Sequence, residues 1–387
     1  MIGLDTKTRE LIEGVHASDA VAVIVAAGAG SQAVRDLLAV PGASRTVLEA
    51  LMPYGRASLS EVLGYEAKTT VGPGVAADMA RRAYRRALRL REGALPAVGV
   101  GCTATIATER IKRGAHHCHV EAWSSTGRTG YSLELVKGLR DRAGEESIVS
   151  AFMLRALAAE VLGESGIQVQ LDDREHIEVR SVRYDDPIKA LLAEHVETVT
   201  VYRDGTLTAD LSVAGGILAG SFDPVHRGHE AMVETAARLL DDEVTLELSV
   251  TNVDKPPLTE TEIRRRLGQF KGRWLAVIDR APVFNEKARL FPGCTFVIGW
   301  DTAVRLVEPR YYGNDEFDML RALDEIRELG CRFLVAGRSD GAVFRTLEDV
   351  QVPSGFGPLF ASIPESEFRC DISSTDIRRG SGASKRS

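Results

Sequence analysis

The chain has 387 residues, with 48 basic and 55 acidic side chains and a formal net charge of −7. Hydrophobic residues make up 44% and charged residues 27%, which excludes a disordered, collagen-like or coiled-coil chain and predicts two or three domains at about 150 residues each. The mild acidity argues against a dedicated nucleic-acid binder but not against small anions, whose sites need only a few local donors.

In chain order, Ala20 to Ala26 is a strand-like apolar run and Ala76 to Leu90 has helical period. Ala97 to Val100 and His119 to Trp123 are strand-like, and Ser147 to Leu162 is an apolar-striped helix ending at Gly163. This alternation predicts an α/β fold. The turn Gly28, Gly30, Ser31 could cradle a phosphate at the start of a helix. Arg81, Arg82, Arg85, Arg86, Arg89 and Arg91 form two adjacent helical stripes, read as a solvated or intersubunit face. In a strand, His117 and His119 of the His116-His117-Cys118-His119 run share one face and could chelate zinc. An ordinary sheet strand is the preferred reading there, and no metal site is expected. Glu197 to Leu211 alternates about Asp204-Gly205, a hairpin signal. The expected division is a first domain over 1–165, a β-rich connector over 166–214, a second α/β domain over 215–379 and a flexible tail over 380–387.

The five cysteines form no Cys-x-x-Cys pair, so a reducing, cytoplasmic setting without a disulfide framework is expected. Ala20 to Val34 is too short and too rich in Gly and Ala for a membrane span, and acidic residues precede it, so no signal peptide is expected either.

The clearest chemistry begins at Gly216. Gly216 to His229 reads strand, tight turn, helix, with a strand ending at Gly220 and a helix opening near Gly228. A helix N-terminus offers unpaired N–H groups and partial positive charge to a phosphate. Gly220 permits close approach of backbone to a ligand, and His226 and His229 at that terminus can both donate to one anion. A metal pair is disfavoured, since no third ligand is spaced nearby. A second signal, Ile372-Ser373-Ser374-Thr375-Asp376-Ile377-Arg378, places three hydroxyls and an arginine about a helix start.

Together these motifs resemble the nucleotidylyltransferase superfamily, and within it the nicotinamide/nicotinate mononucleotide adenylyltransferase branch. The first matches G-x-F-x-P-x-H-x-G-H and the second I-S-S-T-x-I-R. Asn252 to Leu258 with Arg264 resembles the branch's K-x-x-L…R segment, Gly299-Trp300-Asp301 its G-x-D turn, and Gly337-Arg338 its G-R strand end. The branch's ring-stacking tryptophan has no clear counterpart; Tyr311 and Tyr312 stand near its place, a departure that bears on the pyridine substrate.

The resemblance implies a Rossmann-like domain with a parallel sheet that transfers AMP from ATP to nicotinamide or nicotinate mononucleotide, with Mg²⁺ and release of pyrophosphate. It implies His226, His229 and Arg378 as catalytic. Nucleotide contacts would come from Gly220, Ser221, Phe222, His226, His229, Gly299, Asp301, Arg338, Ser374, Thr375 and Arg378, and acceptor contacts from Lys255, Arg264 and Trp300. The alternatives are another phosphomonoester or CTP in the same chemistry, or a non-catalytic nucleotide-binding scaffold. The expected partners are a nucleoside triphosphate and a small phosphomonoester, with no nucleic acid and no membrane.

Residues 5–165 resemble the CinA C-terminal family of nicotinamide-nucleotide amidases, through Val40 to Ser44, Tyr54, Leu63-Gly64 and Val75 to Ala80. Its S-C-T-G-G motif falls on Ala27-Gly28-Ala29-Gly30-Ser31, which puts Ala27 at the nucleophilic serine and Leu59 at the lysine. Neither residue can do Ser/Lys chemistry, so a degenerate domain without amidase activity is expected. The resemblance also implies a homodimer.

Overall fold

The computed structural model describes residues 4–109, 114–163, 166–251, 256–340 and 343–369. These fall into two compact units, Met1–Asp185 and Asp186–Ser387.

The first unit comprises α1 (Thr6–Ala17), β1 (Val21–Ala27), α2 (Ser31–Ala39), α3 (Ala43–Thr46), β2 (Val47–Leu51), α4 (Arg56–Leu63), α5 (Pro73–Leu90), β3 (Ala97–Thr105), β4 (His116–Ser124), β5 (Gly127–Leu135), α6 (Arg142–Val161) and β6 (Ile177–Arg183). Its sheet runs β2-β1-β3-β4-β5-β6. β1 pairs parallel with β2 and β3, and the remaining pairings are antiparallel. Every residue of β1 is buried, and successive residues serve opposite layers as the two-residue strand period requires. Ala22, Ile24 and Ala26 join Ile12, Ala33 and Phe152 in one core. Val21, Val23, Val25 and Ala27 join Leu59, Met79 and Tyr84 in the other.

The second unit comprises α7 (Pro187–Leu192), β7 (Thr198–Val201), β8 (Leu207–Ala209), β9 (Gly216–Ala219), α8 (Arg227–Leu240), β10 (Val244–Ser249), α9 (Glu260–Leu267), β11 (Ala276–Asp279), α10 (Phe284–Leu290), β12 (Thr295–Gly299), α11 (Trp300–Leu306), α12 (Glu316–Glu328), β13 (Arg332–Ala336), the small ribbon β14 (Arg338–Asp340) and β15 (Val343–Arg345), and β16 (Phe360–Ile363). Its main sheet runs β16-β13-β12-β9-β10-β11-β7-β8. The six strands from β16 to β11 are mutually parallel, and β7 and β8 add antiparallel. The near-continuous apolar strands Phe296-Val297-Ile298 and Phe333-Leu334-Val335-Ala336 are buried, as strands of a covered parallel sheet are. From β9 the chain first winds outward through β10 and β11, then returns to place β12 on the other side of β9. This reversal is a topological switch point, and in open α/β sheets ligands bind outside the strand carboxyl ends there.

Residues 166–214, expected as a connector, are divided between the two units. β6 completes the first sheet, and the β7–β8 hairpin about Asp204-Gly205 extends the second. A sheet edge carries unpaired N–H and C=O groups, so a neighbouring extended segment is drawn into the ladder. Among the described residues no helix is long and apolar enough to cross a membrane.

Candidate functional site

The turn from β9 into α8 fixes both motif histidines through their own backbone. His226 is the N-cap of α8: its Nδ1 accepts the Gly228 N–H at 3.1 Å. The His226 N–H in turn donates to Nδ1 of His229 at 3.2 Å. Two donors that a helix start leaves unpaired are thereby satisfied reciprocally, with imidazoles in place of hydroxyl and carboxylate. Since Nδ1 accepts in each ring, the proton of each neutral imidazole sits on Nε2. The rings stack at a centroid distance of 3.8 Å, and both are half-buried. Burial, then the neighbouring His226, holds His229 down at about 4, and burial lowers His226 as well. At neutral pH the turn therefore presents uncharged Nε2–H donors beside the positive end of a helix.

Phe222 keeps them there. Its ring is fully buried and meets the edge of His229 at 5.0 Å and of Phe270 at 5.3 Å. A Cβ on Gly220 would lie 2.8 Å from the Phe222 ring, so glycine is needed there for the ring's sake. Phe222, expected among the nucleotide contacts, has no side-chain face to offer: an aromatic ring at this turn gains more from burial than from exposure. Ser221 is exposed.

Three residues the sequence reading did not single out as site residues hold the 221–225 loop. Gln269 Oε1 accepts the Val225 N–H at 2.9 Å and its Nε2 donates to the Phe222 carbonyl at 3.0 Å. Arg266 Nη1 donates to the Ser221 carbonyl at 2.8 Å, and Arg265 Nη2 to Asp223 Oδ1 at 2.5 Å. All come from α9 or just beyond it, more than forty residues away in sequence. Arg264 points elsewhere. Expected at the acceptor, it instead donates to Glu260 at 2.9 Å and to Asp186, because successive helix positions face different directions and the loop lies beside the 265–266–269 side. Replacing Gln269 by alanine should leave a loop N–H and C=O unpaired, which costs about 1–3 kcal/mol. We expect kcat/KM to fall by about ten- to thirtyfold while the far-UV circular dichroism stays unchanged; Gln269→Glu keeps the acceptor for Val225 but sets an oxygen against the Phe222 carbonyl, so it should not restore the loop.

Across the switch point, Gly299 caps α11, and nothing lies within 4 Å of where its Cβ would be. Asp301 in the first turn of α11 pairs with Arg338, which begins β14; the Oδ1 of Asp301 is buried without a hydrogen-bond partner. Trp300 is half-buried against the apolar core. The Tyr312 hydroxyl donates to the Leu306 carbonyl at 3.0 Å and is raised to about 12 by burial. The structure thus places Gly220, Ser221, His226 and His229 at the end of β9, and Gly299, Trp300 and Asp301 at the end of the adjacent β12. Lys255, Ser374, Thr375 and Arg378, together with the whole second motif, lie outside the described residues.

One strand from the motif loop lies a buried charged cluster. Glu247 of β10 and Asp279 of β11 are almost fully buried. Lys287 of α10 reaches Glu247 Oε1 at 2.5 Å and Asp279 Oδ1 at 3.8 Å. Burial, with the nearby Asp279 charge, raises the Glu247 carboxyl. Lys287 is raised because the two carboxylates outweigh its own burial. The cluster connects to the motif by backbone: the Gly220 N–H donates to the Glu247 carbonyl at 3.0 Å.

In the first unit, Ala27 and Leu59 are both buried in one apolar cluster, where the amidase motif would need serine and lysine. In the Gly-rich turn beside them three donors that could meet a phosphate are already taken. Glu146 Oε1 accepts from Gly30 N at 2.9 Å, Ser31 Oγ at 2.9 Å and Gln32 N at 3.1 Å. A carboxylate from α6 thus fills the anion place at the start of α2. His116 is buried, with Nδ1 2.9 Å from Glu145 Oε1. Of the α5 arginines, Arg86 pairs with Glu49 at 3.0 Å.

A cytidylyltransferase-like family model matches residues 217–380. A probable nicotinate-nucleotide adenylyltransferase from Gloeobacter violaceus is 31% identical over 176 residues, a stretch covering 42% of this chain and 81% of that protein. Among solved structures, the competence/damage inducible protein CihA from Agrobacterium tumefaciens is similar at 18% identity and a TM-score of 0.31, covering 41% of this chain and 95% of that one. A CinA superfamily protein from Escherichia coli is similar at 16% identity and a TM-score of 0.30, covering 40% and 92%. The Gloeobacter relative is covered over most of its length and the family model spans the unit that carries Gly220 to His229, so the chain belongs to the cytidylyltransferase-like nucleotidylyltransferase family.

Proposed function

We propose that the second unit transfers AMP from ATP to a pyridine mononucleotide, nicotinate or nicotinamide mononucleotide, releasing pyrophosphate. The observation that carries this reading is the pair of neutral imidazoles fixed at the α8 N-terminus beside a sheet switch point. A phosphate oxygen of the acceptor attacks the α-phosphorus in line, one P–O bond forms, the bond to the β-phosphate breaks, and the electron pair leaves with pyrophosphate. His226 and His229 donate from Nε2 to the non-bridging oxygens as charge gathers there, and the rigid cap keeps both donors oriented before the reaction. In this reading Asp301, with its unpartnered Oδ1, and Arg338 border the nucleotides, and Trp300 lies toward the acceptor. Ser374, Thr375 and Arg378 take the β- and γ-phosphates, and Lys255 the acceptor phosphate, by the family resemblance.

By the family resemblance Mg²⁺ would be carried by the triphosphate, with phosphate oxygens and water as its ligands. When bound, the ion neutralises the leaving pyrophosphate.

The test is pyrophosphate release from ATP or CTP with a panel of mononucleotides and other phosphomonoesters. The reading expects turnover with ATP and a pyridine mononucleotide. Turnover only with CTP or with another acceptor would reassign the substrates, and binding without turnover on the whole panel would favour a scaffold. For the first unit we propose no amidase activity, because Ala27 and Leu59 are apolar and buried; ammonia release from nicotinamide mononucleotide would contradict it.

The histidine shift has a sign that can be checked. His229 titrates at about 4 in the folded chain against an ordinary 6.5, so its contribution to stability is whole above pH 6.5 and is lost as pH falls toward 4. Wild-type Tm should fall more steeply over that window than Tm of His229→Asn, and activity should show no break near 6.5 from this residue.

A further inference from the structure

The first unit holds a groove of about 810 Å³ that nucleotidyl transfer does not use, lined among others by His117, His119, Glu134 and His176. In the β4–β5 ladder His117 stands opposite Glu134 and His119 opposite Ser132. Strand alternation places these four on one face, while the interleaved Cys118, Leu133 and Leu135 enter the core. His117 Nδ1 donates to the Ala115 carbonyl at 3.2 Å. His119 Nδ1 lies 2.8 Å from the Ser132 hydroxyl, which also accepts from Arg180 at 3.0 Å. Both rings are therefore held by Nδ1, which leaves Nε2 as the nitrogen each presents to a ligand, as the outer hydrogen bonds of metal-binding histidines do.

The ring centroids are 5.3 Å apart. An ion about 2.1 Å from each Nε2 and in line with both rings would sit about 3.2 Å from each centroid, so this separation allows one ion to meet both. Among the described residues no three such side chains already form a group that could hold an ion; the two rings stand side by side on one face, and Glu134 is exposed and opposite His117.

We infer that His117 and His119 chelate one divalent transition-metal ion of the zinc type, with Glu134 turning in as the third protein ligand and water completing the shell. This site is independent of the nucleotidyl-transfer reading. The test is calorimetric titration of the untagged, chelator-treated full chain with Zn²⁺, alongside His117→Asn, His119→Gln and Glu134→Gln, each checked for unchanged apo circular dichroism. One ion per chain should bind, with affinity lowered more than about tenfold by either histidine change and less by Glu134→Gln. Should His119→Gln perturb the fold, His117→Asn carries the test alone, its ring being bonded only to a local carbonyl. Absence of stoichiometric uptake by the wild-type chain, or uptake unchanged in His117→Asn, would overturn the inference.

Discussion

Replacing His229 by alanine should lower kcat/KM by about 10²- to 10³-fold, the usual cost of removing one preorganised donor to a developing oxyanion. The change removes the Nε2–H donor and also the Nδ1 acceptor that the His226 N–H uses. The helix start loses one cap as well, a cost of about 1 kcal/mol. Activity and stability should therefore part company: a large loss of turnover beside a Tm shift of a few degrees. His229→Asn, which can still accept at the cap, should recover most of the stability and little of the activity. A loss below about threefold on His229→Ala would remove this residue from the reaction.

The second large effect concerns stability. Lys287→Met should destabilise the second unit by about 3–5 kcal/mol, because it leaves Glu247 and Asp279 buried without their cation. Burial already raises the Glu247 carboxyl, so the folded unit holds a proton there that the unfolded chain releases above about 4.5. In the wild type this contribution makes stability fall as pH rises above that value toward the raised folded value. Removing Lys287 should push the carboxyl higher still, so that the variant's decline continues to higher pH. Chemical denaturation at pH 5 and pH 8 checks both points, and the double variant Lys287→Met with Glu247→Gln should regain part of the loss. A Lys287→Met variant as stable as wild type at pH 8 would show that the cluster is not the anchor described here.

These two sites differ in how much of them the sequence disclosed. The strand-turn-helix reading of Gly216 to Leu240 corresponds closely to β9 and α8, because glycine, proline and apolar period act locally. The reciprocal capping of His226 and His229 follows from the same short spacing. The buried cluster was hidden by a misleading pattern: Val244-Thr245-Leu246-Glu247-Leu248 alternates apolar and polar residues and reads as a strand with one wet face. Both faces are buried, and Lys287 arrives from forty residues away to make that tolerable. Gln269, Arg265 and Arg266 were obscure for a related reason. Their backbone partners in the 221–225 loop are set by the docking of α9, and the run of three arginines looks like a solvated face until Arg266 is found largely buried, its side chain 11% exposed.

In the first unit the sequence pointed to missing chemistry at Ala27 and Leu59, and both residues are part of one apolar core. It could not point to Glu146, which supplies from α6 the negative charge at a turn otherwise open to a phosphate. That substitution of an internal carboxylate for an external anion is a long-range event with no local signature.

In the proposed reaction the second unit joins two nucleotides. Its most direct measurement is mass analysis of the product formed by the full chain from ATP and nicotinate mononucleotide with Mg²⁺. The corresponding dinucleotide and pyrophosphate should form in equal amounts, with both lost in His229→Ala. Pyrophosphate without a dinucleotide, or neither product from any pyridine mononucleotide, would contradict it.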